Sequence, residues 1–321
     1  MLPSIPEPVN DWTRQLNEPF VIYESVHGSN AYGLARAGSD VDVKGVMIGP
    51  AAWYFGWSGG PEQIDISPDH VRYEIRKFFR LAVDANPTVL ELLWTRPEDH
   101  RVVSPAGERL LAAREGFLSR RVAERFGRYA LAQLKRIQTH RAWLLSPPSR
   151  APTRAEFGLP DRTLIPGDQL AAAEALLDLG EHEAADVSPN FIEVLHREKR
   201  YKSAQAQWRQ YNDWLKNRNP ARSDLEVRFG YDTKHGMHLV RLQRMALEIL
   251  DSGSVNVFRP DREELLAVRD GVWTFDELEL QTSDMAVKID AAARVSRLPE
   301  RPDEAALHRL CVDLVAEHLG C

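Results

Sequence analysis

Two β-forming runs separated by a glycine-serine break constrain this chain more than any other feature. Pro19-Phe20-Val21-Ile22-Tyr23-Glu24-Ser25-Val26 is rich in β-branched and aromatic residues and stops at His27-Gly28. Val41 to Ile48 repeats that character and is closed by Gly49-Pro50. The second run is predicted to open with two acids one residue apart, Asp40 and Asp42. A strand sends residues i and i+2 to one face, about 6.5–7 Å apart. Asp40 and Asp42 are thus expected to aim together, with Val41 and Val43 turned into the core. Convergent carboxylates suit hard cations, and a pair of such ions promotes in-line displacement at phosphorus. Gly28 and Ser29 offer what a phosphate needs: closely approaching backbone, N–H groups and a hydroxyl. Ser29 to Gly33 reads as a short helical turn whose N-terminus would face an anion. The plain alternative is a strand-turn-strand with surface aspartates, since Asp-x-Asp often arises by chance.

Further along, Gln63-Ile64-Asp65-Ile66 reads as a weaker strand. The run Val71-Arg72-Tyr73-Glu74-Ile75-Arg76-Lys77-Phe78-Phe79-Arg80-Leu81-Ala82 reads as an amphipathic helix, with Ile75, Phe78, Phe79 and Ala82 at the 3.6-residue period. Asn86-Pro87 gives an N-cap followed by proline at the first helical position, which predicts a helix over Thr88–Trp94. After Pro105 the character changes. Glu108 to Leu145 is nearly all helix formers, and Ser146-Pro147-Pro148-Ser149-Arg150-Ala151-Pro152 is the clearest punctuation in the chain. Helices are predicted over Gly167–Leu179, Pro189–Leu215, Lys234–Asp251, Pro260–Arg269, Phe275–Ser296 and Asp303–Leu319, with starts for the last two at Thr274 and Pro302. The expected architecture is α+β: an α/β domain at residues 1–105, then a mostly helical domain at 106–321 with a break near 146–166.

Composition bounds the function classes. The chain has 321 residues, 43% hydrophobic and 27% charged, ordinary for a soluble globular protein. No apolar run approaches the roughly 18 residues needed to cross a bilayer. Met1-Leu2-Pro3-Ser4-Ile5-Pro6 lacks the order of a signal peptide. The expectation is a cytoplasmic protein with no membrane partner. Cys311 and Cys321 provide neither metal-ligand spacing nor a disulfide framework. Net charge is −6, yet Arg197, Lys199, Arg200, Lys202, Arg209, Lys216, Arg218 and Arg222 face only Glu198 and Asp213 within one stretch. Such a stretch is either a solvated helix face or a surface for polyphosphate or nucleic acid.

Gly28-Ser29 followed by Asp40-x-Asp42 resembles the signature of the DNA polymerase β type nucleotidyltransferase superfamily. "HGSNAYGL", "SDVDVKGV", "YEIRKFFRLAVDANPTVLELLW" and "FGYDTKHGMHLVRLQRMALEIL" resemble, more closely, the RNA-repair-associated (RlaP-like) nucleotidyltransferases of bacteria and phages. The resemblance covers most of residues 20–95 and about 197–275. It implies a small mixed sheet, and transfer of a nucleotide from an NTP to a hydroxyl with release of pyrophosphate. It implies an RNA end as acceptor, two Mg²⁺ (or Mn²⁺) ions as cofactors, and a helical domain closing over nucleotide and acceptor. Gly28 and Ser29 match the turn that holds the triphosphate, and Asp40 and Asp42 match the metal-binding carboxylates. The superfamily adds a third carboxylate on a neighbouring strand. Asp69 matches that register, while Asp65, in the better strand pattern, and Glu74 stay open as alternatives. The resemblance leaves other acceptors open: a protein hydroxyl, a small molecule, or none in a relative that only senses nucleotide or binds RNA.

Two further segments bear on the site. On a helix, Lys234, His238 and Arg241 share one face at i, i+4 and i+7, with His235 beside His238. They are candidates for nucleotide binding, against the plainer reading of a buried helix with surface bases. No acid set supports zinc at the histidines. Tyr201, Ala204, Trp208, Tyr211 and Leu215 form a stripe at helical spacing that reads as helix–helix core rather than a base-stacking platform. Offset from it, Lys202, Arg209 and Lys216 are candidates for contact with nucleic-acid phosphates. Arg76 and Lys77 either pair with acids or reach pyrophosphate. Base preference, the number of nucleotides added and the oligomeric state are left open.

Overall fold

The computed structural model describes residues 20–163, 165, 189–218 and 220–321. The predicted helix over Gly167–Leu179 lies outside them. The described residues fall into two compact units, one made of those within 20–137 and 232–321, the other of those within 138–231.

The first unit is built on β1 (Val21–His27), a single helical turn α1 (Gly28–Ala31), β2 (Asp42–Met47), the short α2 (Ala52–Phe55), β3 (Gln63–Ser67) and β4 (His70–Glu74). Next come α3 (Ile75–Val83), α4 (Pro87–Leu92), β5 (His100–Val103), α5 (Pro105–Ala112) and the long α6 (Arg121–Leu145), whose residues up to Ile137 belong to this unit. The five strands form one mixed sheet in the order β3-β4-β2-β1-β5. β1 runs antiparallel to β2 and β5, β2 is parallel to β4, and β3 is antiparallel to β4. Ile22, Tyr23, Val46, Ile75, Phe78 and Leu90 are fully buried at its centre.

Three details differ from expectation. First, Val71–Glu74 belongs to β4, and the helix begins only at Ile75. Glu74 is its N-cap, its carboxylate accepting from the backbone N–H groups of Arg76 and Lys77. That cap separates a β-branched, alternating run from the 3.6-residue run after it. Second, β2 starts at Asp42, so Asp40 lies outside the strand and Val41 is 49% exposed rather than core. The register pairs Asp42 with His27, the last residue of β1, so residues before Asp42 have no ladder partner on that side. Third, β5 had no signal strong enough to be predicted; its four residues alternate only between half-buried and exposed.

The remaining helices are α7 (Pro189–Lys216), α8 (Pro220–Phe229), α9 (Thr233–Ser252), α10 (Arg262–Arg269), α11 (Phe275–Val295) and α12 (Glu304–Leu319). Their starts follow sequence logic. Asn86 caps α4, Asp232 caps α9, Thr274 opens α11 with a capping box to Glu277, and Asp303 caps α12. α9 packs on α11 and α10 through Leu239, Met245, Ala246 and Ile249. Within the second unit, Trp143, His140, Trp208, Tyr211 and Trp214 pack ring against ring, and Tyr201 meets Phe157. Of the predicted stripe of α7, Tyr211 is buried and Tyr201, Ala204 and Trp208 are half-buried, whereas Leu215 is 46% exposed. Lys202, Arg209 and Lys216 lie exposed along the same helix.

Candidate functional site

At the end of β1 the chain must reverse within one residue of Asp42. Gly28 does so with φ +65°, a conformation that favours glycine. Glycine is required there for a second reason. A Cβ at residue 28 would lie 2.0 Å from Asp42 Oδ2 and 2.8 Å from its Cγ. The backbone at residue 28 thus lies too close to the Asp42 carboxylate to admit a side chain.

Asp42 and Lys44, two apart on β2, share a face with their cross-strand partners His27 and Ser25. That face opens into a polar cavity of about 230 Å³. Its walls carry Gly28, Ser29, Tyr32, Asp42, Lys44 and Thr88, and on α9 Lys234, His238 and Arg241. The structure thus brings the predicted turn, one predicted acid and all three predicted α9 bases onto one cavity. It adds His27, Tyr32, Lys44 and Thr88, which motif spacing did not single out. Lys44 could have been found from its i+2 relation to Asp42.

The acids are distributed unequally. Partial burial raises the Asp42 carboxyl above its ordinary range; Lys44 opposes this, Asp69 adds to it, Lys234 opposes it and Asp40 adds to it. The ladder pairs Val43 with His70, and the Val43 N–H donates to the Asp69 carbonyl at 2.7 Å. Continuing that register sets Asp69 beside Asp42 on the neighbouring strand edge. Asp40 is exposed, its carbonyl accepting from Asn30 Nδ2 at 2.9 Å. The two alternatives for the third acid are engaged elsewhere. Asp65 is exposed on the edge strand β3 and accepts from Gln63. Glu74 is buried, caps α3 and accepts from Tyr54 Oη and Arg76 Nε. Arg76 is therefore paired with an acid, and Lys77 donates to Gln63 at 2.8 Å.

The donor set of Asp40, Asp42 and Asp69 is all oxygen and mutually repelling, which suits a hard divalent cation. Among the described residues no three His, Cys, Asp or Glu side chains stand close enough to hold an ion as they are. Asp40 and Asp69 would have to draw in on Asp42.

Behind the cavity lies a buried charge cluster. Arg241 Nη1 donates to Glu91 Oε1 at 2.7 Å, and its guanidinium lies 3.8 Å from the Tyr32 ring centroid. Tyr32 Oη donates to the other Glu91 oxygen. Arg241 and Glu91 are almost wholly buried, and Arg241 Nε has no hydrogen-bond partner. His27 is pushed down to about 4 by burial, against the pull of nearby Glu91. It is therefore neutral near pH 7, and its Nε2–H donates to the Thr88 carbonyl at 3.1 Å. His235 is spent on capping: its N–H donates to Asp232 Oδ1 and its ring meets Asp232 Oδ2.

The turn is also braced from beyond α9. Arg259 N–H donates to the Tyr32 carbonyl, and a Cβ at Gly33 would meet the Phe258 ring at 2.6 Å. A larger cavity, about 680 Å³, lies between α3 and α12. It is walled by apolar residues such as Phe79, Leu307 and Val312 and carries nothing of the turn or the acids. Its walls also carry Arg76, Arg80, Glu304 and His308.

A mixed sheet with a Gly-Ser turn pressed against a strand-borne carboxylate, beside a cluster of cations, is the arrangement that the resemblance to polymerase β type nucleotidyltransferases implies. Residues 10–144 match the model of the family described as RlaP, the RNA repair pathway DNA polymerase beta family. Comparison with curated proteins and with solved structures gave no match. No helix among the described residues is long and apolar enough to cross a membrane.

Proposed function

We propose that this protein transfers a nucleoside monophosphate from an NTP to a hydroxyl on an RNA end, in an RNA-repair role. The observation that carries the reading is the contact of the Gly28-Ser29 turn with Asp42 in a cavity walled by Lys44, Lys234, His238 and Arg241. The acceptor oxygen attacks the α-phosphorus, the bond to the β-phosphate oxygen breaks, pyrophosphate leaves, and the acceptor proton passes to Asp69. The turn and the cations hold the β- and γ-phosphates in line with the attack, which is most of what phosphoryl chemistry asks of a protein. Asp40, Asp42 and Asp69 would hold Mg²⁺, which when bound neutralises charge at phosphorus and acidifies the acceptor hydroxyl. Exposed Lys202, Arg209 and Lys216 on α7 supply sequence-independent contacts for the RNA backbone.

The test is label transfer from α-labelled NTPs, with total RNA and lysate protein offered together. Label should enter RNA, and Asp40→Ala or Asp42→Ala should abolish it without unfolding the chain. Label retained by the double variant overturns the catalytic assignment. Label entering the protein fraction instead turns the reading to protein adenylylation. NTP binding with no turnover turns it to a sensor.

A further inference from the structure

We infer that this cavity grips only the polyphosphate and leaves the base outside, so that all four NTPs are accepted alike, with Lys44 as a phosphate-holding residue. The inference rests on the nucleotidyltransferase reading and deepens it. Size comes first. Pockets that enclose drug-sized ligands run to about 300–1,000 Å³, and this one measures about 230 Å³. The cavity is too small to enclose a whole nucleoside triphosphate, and its size suits the phosphates.

The chemistry of the walls agrees. Lys44 and Lys234 supply positive charge, Ser29 and Thr88 supply hydroxyls, His238 lines the wall beside them, Asp42 is the acid on the wall, and the charge of Arg241 is met by Glu91. Reading a base takes a free ring face for stacking, or donors and acceptors fixed at its edge. Tyr32 offers neither. Arg241 covers its ring face at 3.8 Å, His27 packs edge-on at 5.7 Å, and its hydroxyl is given to Glu91. His27 is held by the Thr88 carbonyl.

Lys44 stands out among the cations. Arg241 is committed to Glu91. Lys44 forms no hydrogen bond or ion pair among the described residues, and acts on Asp42 and His27 only through its field. A compact ammonium on a flexible stem, beside a turn of free hydroxyls, is suited to a phosphate oxygen.

The experiment is calorimetric titration of the full chain, with Mn²⁺ and without acceptor, by ATP, GTP, CTP, UTP and inorganic tripolyphosphate. The four NTPs should bind within about threefold of each other, and tripolyphosphate should displace each of them. Lys44→Met should weaken all five by a common factor of roughly 10–100, the worth of a charged hydrogen bond. Lys44→Arg, which keeps the charge, should recover most of it and guards against a folding defect in the first variant. One NTP binding over about tenfold tighter than the rest, or tripolyphosphate failing to compete, overturns base-blind binding while leaving nucleotidyl transfer standing. Unchanged affinity in Lys44→Met overturns the role of Lys44. No NTP binding at all removes the nucleotidyltransferase reading as well.

Discussion

Replacing Gly28 by alanine separates the function of the turn from its stability. The residue sits at φ +65°, where a side chain costs about 1–2 kcal/mol. The new Cβ would stand 2.0 Å from Asp42 Oδ2, 2.8 Å from Cγ and 3.2 Å from Cβ. The obstruction is the end of a side chain, so Asp42 can swing aside at a further cost of about 0.5–1.5 kcal/mol. Gly38 is the matched control, because it has φ +79° and nothing within 4 Å of its added Cβ. In urea unfolding the two alanine variants should lie within about 1.5 kcal/mol of each other. Activity should divide them. Moving the carboxylate by about 1 Å costs roughly 100-fold, or about 2.7 kcal/mol of transition-state stabilisation. The assay is kcat/KM for transfer from α-labelled ATP, with Gly38→Ala near the parent and Gly28→Ala about 100-fold down. If Gly28→Ala folds and stays within about threefold of the parent, the close approach of turn and acid is not what positions the reaction.

Three other outcomes follow from the same geometry. His27 has a folded pKa of about 4, below its unfolded value near 6.5, so its contribution is present above pH 6.5 and is lost as pH falls towards 4. That loss is roughly 3 kcal/mol, and the parent should lose about that much more urea stability across the window than His27→Gln does. Glu91→Gln leaves the buried Arg241 charge uncompensated and should cost about 3–5 kcal/mol by urea unfolding, whereas pairing it with Arg241→Met should recover much of this. Asp42 is raised by burial, so its ionised form weakens the fold at neutral pH and ceases to do so once it is protonated. Asp42→Asn should therefore melt higher than the parent at neutral pH, lose that advantage on acidification and transfer no label; a lower melting point would contradict the burial argument.

The short-range content of the chain was legible because local physics sets it. β1 and β2 follow from β-branched runs bounded by glycine, and the helix starts at Asn86 and Thr274 follow from side chains that cap backbone N–H groups, whereas the last helix, expected to start at Pro302, is capped by Asp303 and begins at Glu304. The Gly28-Ser29 turn, Asp42 and the α9 face of Lys234, His238 and Arg241 could be named for the same reason, since each is a periodic or adjacent pattern. The register of β2 decided what sequence could not. The strand begins at Asp42 because its partner ends at His27, which puts Asp40 outside it and exposes Val41. Parallel pairing with β4 brought up Asp69, while a capping role took Glu74 away. Arg241 looked like a base awaiting phosphate, and a partner 150 positions away claimed its charge. Periodicity says which face of an element a residue occupies. Only the packing of distant elements says what that face meets, and there the surroundings of Asp40, Asp69, Arg241 and Lys44 were set.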